Sequence, residues 1–130
     1  MYGIQRIDDV NQSICTMQVE TKAEKVAFYN ATQNPSSKVS DYINQNITIK
    51  DVYMERAEYE DDHGLVTKGV KTIIITPDGE GILANSNGIA KSLYGIFDIF
   101  GLPSEWDEPL TVTVRQIEVP NGRYFKLEVK

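Results

Sequence analysis

The sequence predicts a mainly β fold in which one helix is inserted between strands. Three observations predict it. Val70 to Thr76 is β-branched at six of its seven positions, and such side chains are stiff at χ1 and pack well on a pleated surface. Pro77-Asp78-Gly79 ends that strand with turn chemistry, and residues 81 to 85 return. Asn85, Ser86 and Asn87 then crowd N-cap residues ahead of Ile89, Leu93, Ile96, Phe97 and Phe100, whose spacing places them on one helical face closed by Gly101 and Pro103.

The 130 residues fit one domain, residues 1 to 130, in which about two-thirds of the unfolded surface can be buried. No apolar run approaches the ~20 residues of a membrane helix, and Met1-Tyr2-Gly3-Ile4-Gln5-Arg6 is no secretory leader, so a cytoplasmic protein is expected. Cys15 is the sole cysteine and His63 the sole histidine, which excludes an internal disulfide and every multi-cysteine zinc pattern. A net charge of −6 speaks against coating duplex DNA. It leaves room for single strands held by a local basic groove and by stacking on rings.

In chain order, residues 1 to 13 carry little periodicity. Ile14 to Glu20 alternates, with Cys15, Met17 and Val19 on one side of an expected strand. Lys25 to Asn30 reads as a second strand after a charged turn, with Val26 and Phe28 on one face and Lys25 and Tyr29 on the other. Lys38 to Ile43 is one helical turn or an ordered loop. From Ile47 to Tyr59 the chain is extended, but Ile47 and Ile49 share one phase and Val52 and Met54 the other, so a bulge or bend near Lys50-Asp51 is expected to hold all four in one core. Acids from Glu55 to Asp62 lead to a hairpin tip at His63-Gly64.

After the helix, Leu110, Val112 and Val114 alternate, and Ile117 and Val119 resume on the opposite parity, which suggests a second bulge near Arg115-Gln116. Asn121-Gly122 signals a two-residue hairpin, and the last strand places Phe125, Leu127 and Val129 inward. The order β, β, β, α, β, β with bent strands matches a five-stranded OB-like Greek-key barrel with one helix between strands three and four, plus an N-terminal extra strand.

Enzymatic chemistry has no support in the residues. One Cys and one His far apart make no nucleophile–base signature, and Gly79, Gly81 and Gly88 lack the spacing and lysine of a phosphate-binding loop. No catalytic, metal or cofactor site is expected. The outward positions remain: Lys25, Tyr29, Tyr53, Arg56, Tyr59, Lys68, Lys71, Arg115, Tyr124 and Lys126 set phenol rings beside cations on what read as strands. Bases stack on such rings for ~1–3 kcal/mol each while Lys and Arg follow the phosphates. Phe28, Phe97 and Phe100 read as core, and Trp106 as either core or surface.

The blocks VAFYNA (26–31), SDYINQNITIKDV (40–52), TIIITPDG (72–79) and SNGIAKSLYGIFDIF (86–100) resemble, in order and spacing, the small single-stranded DNA-binding proteins of tailed phages, including those that prime replication with a protein. The resemblance covers most of residues 24 to 129. It implies a non-enzymatic OB-type protein that coats single-stranded DNA during phage replication, in the host cytoplasm, as a monomer or small homo-oligomer, with replication proteins as further partners. The chain departs from bacterial relatives in ending on Val129-Lys130 rather than on an acidic tail. The rival reading is an acidic protein-interaction module, motivated by the net charge and the 55–62 acids. An RNA or oligosaccharide binder and a metal-dependent nuclease rank below it.

Overall fold

A computed structural model describes residues 13–60 and 62–130, without the side chains of residues 13, 57–60, 67 and 68. The described residues form eight strands in two sheets and two α-helices. The larger sheet has the order β1 (Ser13–Cys15), β4 (Asp51–Glu60), β5 (Val66–Ile75), β6 (Gly81–Ala84), β2 (Ser37–Lys38). The smaller has the order β3 (Asn46–Ile49), β7 (Leu110–Val119), β8 (Gly122–Val129). Helix α1 (Lys22–Gln33) lies between β1 and β2, and α2 (Asn87–Phe100) between β6 and β7. The expected reading of residues 1 to 12 lies outside the described residues.

The bend expected at Lys50 is where the chain changes sheets. Ile47 and Ile49 are buried under the smaller sheet and Val52 and Met54 under the larger, and all four join one core with α2's Ile89, Leu93 and Phe97. A phase change that would turn a straight strand inside out is thus absorbed at one residue. The short turn from Lys38 to Ile43 is a 3-10 turn, Val39–Tyr42. The expected helix is α2, N-capped by Ser86, whose Oγ accepts the Gly88 N–H, and ended by Gly101 at φ +82°. Phe97 is buried as expected, whereas Phe100 is 46% exposed.

Several expectations are corrected. Residues 25–30 are not a strand but the middle of α1, because Thr21 and Glu24 form a reciprocal capping box that starts a helix at Lys22. The first strand stops at Cys15; beyond it Thr16 ties the chain to β4, its hydroxyl donating to Asp51 and accepting the Val52 N–H. The bulge near Arg115 is absent: β7 and β8 pair without a break from Val112↔Val129 to Val119↔Gly122. The hairpin loop is Pro120-Asn121, one residue earlier than expected. Among the described residues the sheets do not close into a barrel, and there are two α-helices rather than one. Helix α2 occupies the free edge of β8, where Ser92 Oγ accepts the Leu127 N–H and a Cβ on Gly88 would strike the Phe125 carbonyl. One edge donor that a closing strand would need is therefore already taken, and the approach to the Phe125 carbonyl is blocked by the helix.

Candidate nucleic-acid interface

Side chains alternate across a strand, so register sorts the ten expected residues by face. On β4 and β5, Val52, Met54, Val70 and Ile74 point into the main core. Tyr53, Lys71, Ile73 and Ile75 share the other face, which α1 covers through Phe28 and Ala31. The Phe28 and Tyr53 rings meet edge to face at 5.3 Å, and a Cβ at Gly81 would collide with the Ala31 carbonyl. Tyr53 is accordingly half-buried, and its hydroxyl donates to Glu55 Oε2 at 2.7 Å. Burial first, and then the Glu55 carboxylate, push the phenol well above its ordinary pKa. Lys25 and Tyr29 are exposed on α1, not on a strand, with Tyr29 62% exposed.

Arg56 lies on the opposite parity of β4 from Tyr53, registered with Val70. Tyr59 and Lys68 pair with Thr67 and Glu58 in the same β4–β5 ribbon, and their side chains lie outside the described residues.

The remaining three residues come together. On the face of the smaller sheet turned away from the core, Arg115 and Lys126 are directly opposed across β7 and β8, and the next pair along the same face is Ile117 with Tyr124. Tyr124 is 45% and Val119 43% exposed. Arg115 is held in place by Glu128 (Nε to Oε2, 3.2 Å) and Asn44 (Nη1 to Oδ1, 2.8 Å), and Asn44 itself sits at φ +63°. The apolar residues whose phase suggested a bulge instead remain on the open face. Together they form a surface in which a ring and two aliphatic side chains adjoin two cations, suited to a chain of stacked bases with an anionic backbone. Of the ten, Tyr53 and Lys71 lie on the face that α1 covers, Lys25 and Tyr29 on α1 itself, Arg56 on the opposite parity of β4, and Arg115, Tyr124 and Lys126 on the open face of the smaller sheet, so the described side chains do not form one track.

A family model described as phage single-stranded DNA-binding protein matches residues 8–129. The chain belongs to this phi29-type phage family. No curated protein and no solved structure matches it. In this phage single-stranded DNA-binding protein, the Arg115–Lys126 and Ile117–Tyr124 pairs stand on successive same-face rungs of the β7–β8 hairpin. No described helix is long and apolar enough to cross a membrane. Sequence reasoning passed over Ile117 and Val119 as part of this surface, although their reversed phase, next to cations, was the available signal. Cys15 is buried, and burial raises its thiol pKa, which keeps it protonated and poorly nucleophilic.

Proposed function

We propose that this family member coats single-stranded DNA exposed during phage replication, without sequence preference, and that the outer face of the smaller sheet holds the strand. Bases stack on Tyr124 and slide over Ile117 and Val119, while Arg115 and Lys126 face the phosphates. The family match over residues 8–129 carries the reading. The adjacent cross-strand pairs support this face over the others, because both needed chemistries stand on neighbouring rungs of one rigid hairpin. In this reading the protein is not an enzyme, uses no cofactor, works in the host cytoplasm as a monomer or small homo-oligomer, and meets replication proteins on the coated strand.

Titration with oligo(dT), followed by Tyr and Trp emission and by gel shift at low salt, tests it. Quenching and a retarded band are expected, and the affinity should fall steeply with salt because phosphate contacts release counterions. Unchanged emission with no shifted band at low salt would remove the proposal.

A further inference from the structure

On the other side of β8 from Tyr124, a groove of about 320 Å³ opens between the β2–β6 edge and the start of α2. Its wall and floor are apolar, with the half-buried ring of Phe125 and the buried Val39 and Ile89. Its rim is polar: Lys38, Ser40 and Asn85. The volume is at the lower end of sites that hold small ligands, enough for a single base with its sugar rather than a folded partner. None of these residues belongs to the Tyr124 surface, but Phe125 is the next residue along the same strand. Side chains of consecutive residues leave β8 on opposite faces, so the groove and the open face are separated by the thickness of one strand.

We infer that this groove holds one nucleotide of the bound single strand, its base against the half-buried Phe125 ring and its phosphate toward Lys38. The inference rests on the proposed function. A strand leaving the Tyr124 surface past Arg123, N-terminal to the β8 edge that α2 covers, reaches the groove without crossing the helix. The rim is not uniformly cationic, because Asp41 Oδ2 accepts the Lys38 backbone N–H at 3.1 Å. Apolar contact with the base therefore supplies most of the grip, and Lys38 a single phosphate contact.

Amide shift mapping of the whole chain with short oligo(dT), alongside an abasic oligomer of equal length, separates the possibilities. With oligo(dT), shifts are expected at Val39, Ser40, Asn85 and Phe125 as well as at Arg115 and Tyr124, and the abasic oligomer should leave Val39 and Phe125 unmoved. Lys38→Ala, at an exposed position, should weaken oligo(dT) binding roughly threefold to tenfold and lower the salt slope by about one. Shifts confined to Arg115, Tyr124 and Lys126, with Lys38→Ala binding like the parent, would overturn the groove and leave the single-strand reading standing. Groove shifts that are the same with the abasic oligomer would overturn the base pocket. Silence at both surfaces would overturn the single-strand reading itself, and the groove with it.

Discussion

The two sheets carry similar side chains on their outer faces and use them differently. The larger sheet sets Tyr53 and Lys71 outward, and α1 then covers that face, so Tyr53 becomes packing: its ring meets Phe28 and its hydroxyl is fixed on Glu55. The smaller sheet sets Tyr124 and Lys126 outward, and Tyr124 stays 45% exposed. Residue type and strand parity are alike in both places. The covering element separates a structural tyrosine from one free to meet a ligand, and a sheet pattern read without its cover cannot tell them apart.

The sharpest way to break this contrast is to truncate both rings. Tyr53→Ala should cost about 2–4 kcal/mol of stability, since it empties a packed site and removes an aromatic pair. Denaturant unfolding measures that loss, while oligo(dT) affinity of the folded fraction stays at the parent value. Gly81→Ala attacks the same layer from the backbone side by pushing a methyl against the Ala31 carbonyl, for about 1–3 kcal/mol. A Tyr53→Ala protein that is fully stable but fails to bind would reverse the roles assigned to the two faces.

Tyr124→Ala is the mirror case. Its stability should change by less than ~0.5 kcal/mol, as for exposed positions generally. Its oligo(dT) binding should weaken by ~1–3 kcal/mol, the range for one lost stacking platform. Fluorescence titration beside thermal unfolding reads both quantities from one preparation.

How much of this was legible in the sequence follows the same division. Helix α2 was plain, because its caps and its apolar face agree. The bend at Lys50 was plain, because a phase change between Ile49 and Val52 has few physical solutions. Helix α1 was missed although two signals for it were present. One is the Thr21-x-x-Glu24 capping box. The other is Ile73-Ile74-Ile75, three consecutive buried residues, which only a strand covered on both faces can accommodate, so a second covering element was required. Read as a strand, Lys25 to Asn30 gave Lys25 and Tyr29 the wrong setting and made the single binding track look continuous. The open face is half legible: strand parity points Arg115, Tyr124 and Lys126 outward, but the reversed phase of Ile117 and Val119 reads as a bulge as long as apolar residues are expected in the core. Barrel closure was not legible at all, since it turns on α2 occupying the edge of β8, a tertiary fact.

A smaller effect sharpens the open face. Glu128 is an exposed partner of Arg115, and such pairs contribute about 0–1 kcal/mol to stability. Glu128→Gln should therefore leave unfolding nearly unchanged while tightening oligo(dT) binding by about 0.5–1 kcal/mol at low salt, because a carboxylate no longer competes with phosphate for the guanidinium. The gain should fade as salt rises. Weaker binding in this variant would mean that Glu128 serves to orient Arg115 rather than to restrain it.

The smallest effect lies at the corner joining the two regions. Asp51 opens β4 just after the chain leaves the smaller sheet, and burial raises its carboxyl pKa, with the Thr16 hydroxyl and Lys50 pulling the other way. A carboxyl with a raised folded-state pKa binds its proton more tightly folded than unfolded, so its contribution to stability is most favourable below the ordinary carboxylate range. That contribution is lost as pH rises through the raised value. Asn at this position keeps an oxygen to accept from Thr16 without carrying the charge. Asp51→Asn should therefore melt a few degrees higher than the parent at pH 7, for a gain under about 1 kcal/mol, and the difference should vanish as pH falls below the carboxylate range. Glu24 runs the opposite way: backbone N–H groups of Thr21 and Glu20 lower its pKa, so its cap stabilises at neutral pH and weakens on acidification in both proteins alike, and cancels from the difference. A melting difference that grew on acidification would mean that the Thr16 hydrogen bond outweighs burial, and that the ionised carboxylate holds the corner between the sheets.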